Sequence, residues 1–251
     1  MKKVKSLLAL LLVAVMVFAL AGCGSSSSDV YIIASDTTFA PFEYTNEAGE
    51  FVGIDVDIIN AIAEDQGFEI EIQSLGFNAA LTAVQSGQAD GVIAGCSITS
   101  ERELIFDFST PYYDSGVVMG ISSSDSSIKS YDDLEGKIVA MKIGTEGTTF
   151  AESIQDEYGF TTITFDTSDA MYMAVTSGQA DACFEDFAIL GYGISTGNVA
   201  MQIVTDPEEG SPYGFAVNKG ENAELLEMFN AGLANIIANG TYQAIIDSYI
   251  G

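Results

Sequence analysis

An eight-residue repeat constrains the fold of this chain more than any other feature of its sequence. The segment Ala83-Val84-Gln85-Ser86-Gly87-Gln88-Ala89-Asp90 returns at residues 174–181 with seven of its eight positions identical. Each copy has the pattern of a helix end, a glycine in the left-handed conformation and the start of a short apolar strand. Because strands that alternate with helices favour parallel α/β sheets, the repeat predicts two similar α/β lobes. The alternative is that this is a generic α/β connection repeated by chance.

Polar residues follow the strand of each repeat. The first strand leads into Gly95-Cys96-Ser97 and the second into Glu185-Asp186. Ligands of open α/β sheets bind beyond the carboxyl ends of the strands. We therefore expect a binding cleft between two lobes, with polar groups supplied from both sides.

The chain is predicted to cross twice between these lobes, as in hinged, clam-shell proteins. The first lobe is expected to comprise residues 29–112 and 213–251, and the second residues 117–208. The hinge then falls at residues 113–116 and 209–212. The predicted fold class is α/β with two lobes, each a mostly parallel sheet with flanking helices.

The N-terminal residues predict export. Lys2, Lys3 and Lys5 precede an apolar run from Ser6 to Ala19, which is the order found in signal peptides. The run is shorter than the roughly 20 residues that span a bilayer, which disfavours a retained transmembrane helix. Leu-Ala-Gly-Cys at residues 20–23 resembles the lipobox of bacterial lipoproteins, which implies a signal peptide over 1–22, lipidation of Cys23 and a tether over 23–28. An ordinary signal peptide is the alternative.

Composition excludes several classes of function. The formal charge is −28, and a chain this acidic repels phosphate backbones, so no nucleic-acid partner is expected. The chain has no histidine, the commonest metal ligand and the usual general base of hydrolases. We expect no metal, no cofactor and no enzymatic activity. Cys96 and Cys183 lie in apolar surroundings that favour buried free thiols, although a disulfide between them stays open.

A series of short motifs identifies a family. In chain order they begin at Asp36, Gly53, Gly95, Asp107, Asp133, Gly144 and Asn239, and they read DTTFAPFE, GIDVD, GCSITSER, DFSTPYY, DLEGK, GT and NGTY. Together they resemble the polar amino-acid solute-binding proteins of bacterial ABC importers, and most closely the glutamine-binding members. The resemblance covers almost the whole mature chain. It implies a type II periplasmic-binding-protein fold that closes on a free amino acid, an ABC permease as partner, a monomeric receptor and a location on the extracytoplasmic face of the membrane.

The chemistry of a free amino acid agrees with the residues at the predicted cleft. Its carboxylate and ammonium groups each need a partner when buried. Arg102 offers a planar cationic fork for a carboxylate, and Thr145 precedes a predicted helix whose N-terminus favours an anion. Asp186 suits the ammonium. Without the surrounding motif, Arg102 would be read as forming a surface ion pair with Glu101 or Asp107.

The resemblance assigns the site residue by residue. The ligand carboxylate would bind Arg102 and the backbone N–H groups of the loops at Ser97 and Thr145. The ammonium would bind Asp186, aided by carbonyls near Ala94 and Gly95. Two aromatic residues would sandwich the ligand side chain, and four charged residues would line its pocket: Phe39, Phe77, Asp36, Lys142, Glu146 and Glu185. Taken out of this context, the two aromatics would be assigned to the core.

The pocket residues predict the ligand. Lys142 opposes a cationic side chain, whereas Asp36, Glu146 and Glu185 oppose an anionic one. A pocket of both signs suits a neutral amide, hence glutamine. Glu185 departs from the glutamine-binding pattern, in which histidine is usual, so asparagine and cystine stay open. Two other functions are weighed: a sensor that acts through a membrane partner, and an enzyme resembling cyclohexadienyl dehydratases with Glu185 or Glu146 as acid–base group.

Overall fold

The computed structural model describes residues 30–250, so the signal peptide, Cys23 and the tether lie outside the described residues. Fourteen strands are present in this range: β1 (Val30–Ser35), β2 (Thr38–Phe39), β3 (Glu43–Thr45), β4 (Phe51–Val52), β5 (Glu69–Ser74), β6 (Gly91–Val92), β7 (Phe106–Phe108), β8 (Gly116–Ser122), β9 (Ile138–Lys142), β10 (Thr161–Phe165), β11 (Ala182–Asp186), β12 (Met201–Ile203), β13 (Glu208–Glu209) and β14 (Ala216–Asn218). The α-helices of the same range are α1 (Ile54–Gln66), α2 (Phe77–Gln85), α3 (Glu146–Tyr158), α4 (Ser168–Thr176), α5 (Phe187–Ser195), α6 (Ala223–Ala238) and α7 (Thr241–Ile250), with 3₁₀ turns at Arg102–Leu104 and Tyr131–Leu134.

Two sheets with the same plan form the two lobes. The first has the order β5-β1-β6-β14-β7 and the second the order β10-β9-β11-β8-β12, with β13 paired to β8. In each sheet the first three strands are parallel and the last two pairings are antiparallel. A small antiparallel sheet, β2-β3-β4, belongs to the first lobe. The predicted α/β class with two lobes is confirmed.

The sequence repeat has a structural reason in both lobes. Gly87 and Gly178 take the left-handed conformation after α2 and α4, with φ of 70° and 77°. Each repeat then ends on an aspartate that bonds the neighbouring strand: Asp90 accepts from the Ile32 N–H at 2.8 Å, and Asp181 from the Ile138 N–H at 2.8 Å. The repeat therefore encodes a helix end and the joining of the following strand to the sheet.

Each sheet is covered by helices on both faces. Along β1, Ile33 faces one apolar cluster and Ala34 the other, and along β9, Val139 and Ala140 alternate in the same way. This is the period of a strand that is buried on both sides. Cys96 and Cys183 are both buried free thiols, one in each lobe, and they pack as small apolar side chains.

Two segments connect the sheets. One leads from β7 to β8 and the other from β13 to β14. They run side by side, since Tyr213 on the returning segment forms β-bridges with both Ser97 and Tyr113. Within residues 30–250, no helix is both long and apolar enough to cross a membrane.

Candidate functional site

The predicted site residues gather where the two sheets face each other. Asp36 follows β1, residues 94–97 follow β6, Lys142 ends β9, and Asp186 ends β11. These are the central parallel strands of the two sheets. Their carboxyl ends meet across the interlobe cleft, as expected for ligand sites of α/β sheets.

Arg102 lies at the edge of the first lobe and reaches the second. Its Nη1 donates to the Ser97 carbonyl at 2.8 Å, and its Nη2 donates to the Gly144 carbonyl at 2.8 Å. The guanidinium lies 5.2 Å from the centroid of the Phe77 ring, a cation–π distance. Asp107, an alternative partner considered from the sequence, instead pairs with Lys219 at 2.6 Å. The fork is therefore held by carbonyls and an aromatic face at the cleft.

The N-terminus of α3 lies next to Arg102. Thr145 is the N-cap, and its hydroxyl accepts from the Thr148 N–H. Glu146 begins the helix, and its carboxylate accepts from the N–H of Ser211 at 3.1 Å and from its hydroxyl at 2.9 Å. The structure thus places Glu146 against the returning segment and beside Arg102.

Asp186 ends β11 of the second lobe, directly before α5. Its Oδ2 accepts a hydrogen bond of 2.6 Å from the Tyr213 hydroxyl. Burial, together with the nearby charge of Glu185, raises the pKa of Asp186 to about 7. A ligand ammonium would lower this pKa and supply the positive charge that Asp186 lacks.

The loop of Ala94 and Gly95 forms the floor of the cleft. Gly95 has φ of 52°, and a Cβ there would lie 2.3 Å from the Phe39 ring. Glycine is therefore required both for the left-handed backbone and for the approach of the aromatic ring. Phe39 and Phe77 are 4% and 5% exposed, so both contribute to the packing as well as to the cleft.

A buried ion pair crosses the cleft between the lobes. The Lys142 ammonium donates to Asp36 Oδ2, and the two side chains are 1% and 0% exposed. The same ammonium lies 3.2 Å from the Ser168 hydroxyl and 4.7 Å from the centroid of the Phe39 ring. Lys142 therefore joins the second lobe to the first through one carboxylate and one aromatic face.

Glu185 completes this cluster from the second lobe. Its Oε2 accepts from the Ser168 and Tyr172 hydroxyls at 3.0 and 2.9 Å, and its Oε1 accepts from the Asp186 N–H at 3.0 Å. Burial raises the pKa of Glu185, while the charge of Lys142 opposes the rise. The cluster therefore has both signs of charge and hydrogen-bond groups of both kinds.

Sequence reasoning missed the residues that hold these groups in place. Ser168 and Tyr172 are four residues apart on α4, which places them on one helix face, so helical spacing could have indicated them. Tyr213 and Ser211 come from the returning segment and are distant in sequence from the groups they bind. No local pattern marks them.

The described residues contain no group of three or more histidine, cysteine or acidic side chains arranged to hold a metal ion. The polar groups around the cleft instead include the guanidinium of Arg102, the N-terminus of α3 and the carboxylate of Asp186. Two aromatic rings and the cluster of Asp36, Lys142 and Glu185 also contribute to it. This arrangement can hold a small zwitterion whose side chain is polar.

Comparisons with known proteins identify the family of this chain. Residues 31–251 match the family described as bacterial extracellular solute-binding proteins, family 3. The arginine-binding extracellular protein ArtP of Bacillus subtilis is 33% identical over 248 residues, which cover 96% of each chain.

Two solved structures resemble this chain with different TM-scores. An ancestral arginine-binding protein bound to glutamine is 35% identical, with a TM-score of 0.82 over 88% of this chain and 98% of the other. Substrate-binding domain 2 of GlnP from Lactococcus lactis, in an open conformation, is 46% identical, with a TM-score of 0.62 over 91% of this chain and 98% of the other.

Proposed function

This chain belongs to the bacterial extracellular solute-binding proteins, family 3, the amino-acid receptors of ABC importers, and we propose that its ligand is a free polar amino acid, with glutamine favoured. The observation that carries the choice of glutamine is the cluster of Asp36, Lys142 and Glu185. Lys142 neutralises Asp36, and the carboxyl group of Glu185 accepts hydrogen bonds from Ser168, Tyr172 and the Asp186 N–H. A side-chain amide can donate and accept in such a pocket without adding a buried charge.

The two ends of the cleft support an α-amino acid. Arg102 presents a guanidinium that a carboxylate can bind bidentately, next to the N-terminus of α3. Asp186 presents a carboxylate to the ammonium. In a closed cleft each ligand charge would then meet an opposite charge, which is the condition for burying a zwitterion.

Arginine is the second candidate. The cluster contains two carboxyl groups and one ammonium, so it would carry a net negative charge wherever Glu185 is ionised. The relative from Bacillus subtilis and the ancestral protein are both named as arginine-binding, which also favours arginine. Lys142 stands against this choice, because a guanidinium in the pocket would face its ammonium.

Binding is proposed to proceed by closure of the two lobes about the segments at 113–116 and 209–212. Contacts that only a closed form can make support this: Lys142 with Asp36, and Arg102 with the Gly144 carbonyl. The GlnP domain, described as open, is 46% identical to this chain but has a TM-score of only 0.62. The ligand-bound ancestral protein is 35% identical and has a TM-score of 0.82. A lower overlap at higher identity is the result expected when similar lobes are differently oriented.

An enzymatic role has less support. Both oxygens of Glu185 accept hydrogen bonds from the protein, and Glu146 is bound by Ser211. Neither of the two residues considered for acid–base catalysis therefore points a free oxygen at a substrate. The receptor is proposed to work as a monomer, held at the extracytoplasmic face of the membrane through a lipid on Cys23, and to deliver its ligand to an ABC permease.

Thermal unfolding with each of the twenty amino acids, followed by calorimetry on the hits, tests this function. A ligand present at a hundred times its Kd stabilises the folded state by about 2.7 kcal/mol, which a shift in Tm detects easily. Glutamine is expected to give the largest shift. If arginine shifts the Tm and glutamine does not, the specificity is wrong and the receptor function stands. If no amino acid does so, the function is wrong.

A further inference from the structure

Two carboxyl groups face each other beneath the floor of the cleft. Glu43 and Asp55 are both 0% exposed, and their carboxyl groups are close enough for a side-chain hydrogen bond between them. Among residues 30–250, no N–H or O–H donor reaches either oxygen of Glu43 or Oδ1 of Asp55. Because two carboxylates have no donor between them, this bond requires one proton.

The backbone forces these two groups together. A Cβ at Gly53 would lie 2.1 Å from the Phe42 carbonyl oxygen, so only glycine allows the start of α1 to approach β3 this closely. The N–H groups of Ile54 and Asp55 then donate to the carbonyls of Pro41 and Phe42, each at 2.9 Å. The approach leaves Glu43 directly against Asp55.

Asp55 connects this pair to the cleft and to the hinge. Its Oδ2 accepts from the Gly95 N–H at 2.8 Å and from the Tyr112 hydroxyl at 2.8 Å. Gly95 carries the floor loop and supports the Phe39 ring, while Tyr112 immediately precedes the first crossing segment. One carboxylate oxygen therefore holds both a proposed ligand-binding loop and the base of the hinge.

The surroundings favour retention of the proton. Burial raises the pKa of Glu43 well above its usual value, and the charges of Asp55 and Asp36 raise it further, against an opposing effect of Lys142. Burial also raises the pKa of Asp55 and outweighs the lowering effect of its hydrogen bonds, so that this pKa is about 7. The other titratable groups that interact with the pair are Tyr112, Cys96 and Tyr242.

We propose that Glu43 and Asp55 share a proton, and that the protonated pair is the positioning element that fixes the Gly95 loop and Tyr112 for ligand binding. The second part rests on the proposed function. When the pair loses this proton, two buried carboxylates repel each other and Asp55 no longer holds its two donors in place. Ligand binding is then coupled to proton uptake, so affinity falls by roughly tenfold for each pH unit above the pKa of the pair.

Infrared spectroscopy tests the shared proton directly. A protonated carboxyl group has a C=O stretching band that a carboxylate lacks. The spectra are to be recorded at about pH 8, above the pKa of Asp186, so that this residue does not contribute to the band. The band is expected to be stronger in the parent than in Glu43→Gln, whose amide donates to Asp55 and needs no shared proton. Glu47→Gln, an exposed change in the same hairpin, is the control and should keep the band. Equal bands in the parent and Glu43→Gln overturn the proposal.

The positioning role is tested by the affinity for glutamine between about pH 6 and about pH 9. The association constant of the parent divided by that of Glu43→Gln should fall as the pH rises. Dividing the two constants cancels the titration of the ligand ammonium, which is common to both proteins. A flat ratio overturns the positioning role. If Glu43→Gln folds poorly, Asp55→Asn takes its place in both experiments. In this variant the amide of residue 55 donates to Glu43, so the band should weaken and the pH dependence should be lost. If the parent binds no amino acid, the proposed function fails, and the infrared result still decides whether the proton is shared.

Discussion

Replacing Lys142 with methionine tests whether the interlobe ion pair controls closure. The change keeps an unbranched side chain of similar length but leaves Asp36, which is fully buried, without an opposite charge when the lobes meet. Removing one partner of a buried ion pair costs about 3–5 kcal/mol. Because both groups are hydrated when the lobes are apart, this cost falls on closure. Affinity should therefore fall by roughly a hundredfold to several thousandfold.

Calorimetry against the amino-acid panel is the assay, with Lys129→Met, a change at an exposed lysine, as the matched control. Adding Asp36→Asn to Lys142→Met removes the unpaired charge and should recover at least about tenfold of the lost affinity. A loss that is uniform over all bound amino acids identifies an interlobe role. A loss restricted to one ligand identifies a contact with its side chain. If Lys142→Met binds within about threefold of the parent, the reasoning is refuted.

Three further outcomes are expected. The ratio of the parent and Asp186→Asn association constants should rise with pH up to about 7, where Asp186 ionises to meet the ammonium, and the variant should bind weakly in calorimetry. This ratio cancels the opposite pH dependence expected from Glu43 and Asp55. Arg102→Lys keeps the charge but loses the bidentate fork, so it should bind more weakly than the parent and more tightly than Arg102→Ala, in the same assay. Gly95→Ala places a Cβ 2.3 Å from the Phe39 ring at a positive φ, and it should lower the midpoint of urea unfolding, whereas Gly49→Ala, in open space also at positive φ, should lower it less.

Much of the fold could be predicted because its signals are local. The helix end, the left-handed glycine and the following aspartate of each repeat lie within eight residues, and the structure gives both copies the same hydrogen bonds. The location of the cleft is predictable because ligands of open α/β sheets bind beyond the carboxyl ends of the parallel strands. These features depend only on neighbouring residues and on sheet geometry.

The partners of the site residues could not be predicted in the same way. Glu146 was assigned to the side-chain pocket with Asp36, yet its carboxylate is bound by Ser211, 65 residues along the chain. The hydrogen bonds of Asp186 with Tyr213 and of Asp55 with Gly95 also join distant segments. The bonds of Glu146 and Asp186 depend on how the returning segment packs against the second lobe, and the bond of Asp55 on how α1 packs against the loop after β6. No spacing rule within one element encodes such contacts.

Strand β14 is the fourth strand of the first sheet but the last strand in the chain, and this determines the order in which the two lobes can be completed. Every strand of the second sheet lies between Gly116 and Glu209, so that sheet can assemble from one continuous piece of chain. The first sheet has to wait for β14, because this strand lies between β6 and β7. A chain that is synthesised from its N-terminus can therefore finish the second lobe while β7 still lacks its neighbour β14. The unfinished edge of β6, directly before the Gly95 loop, is the surface that has to be protected until the last segment arrives.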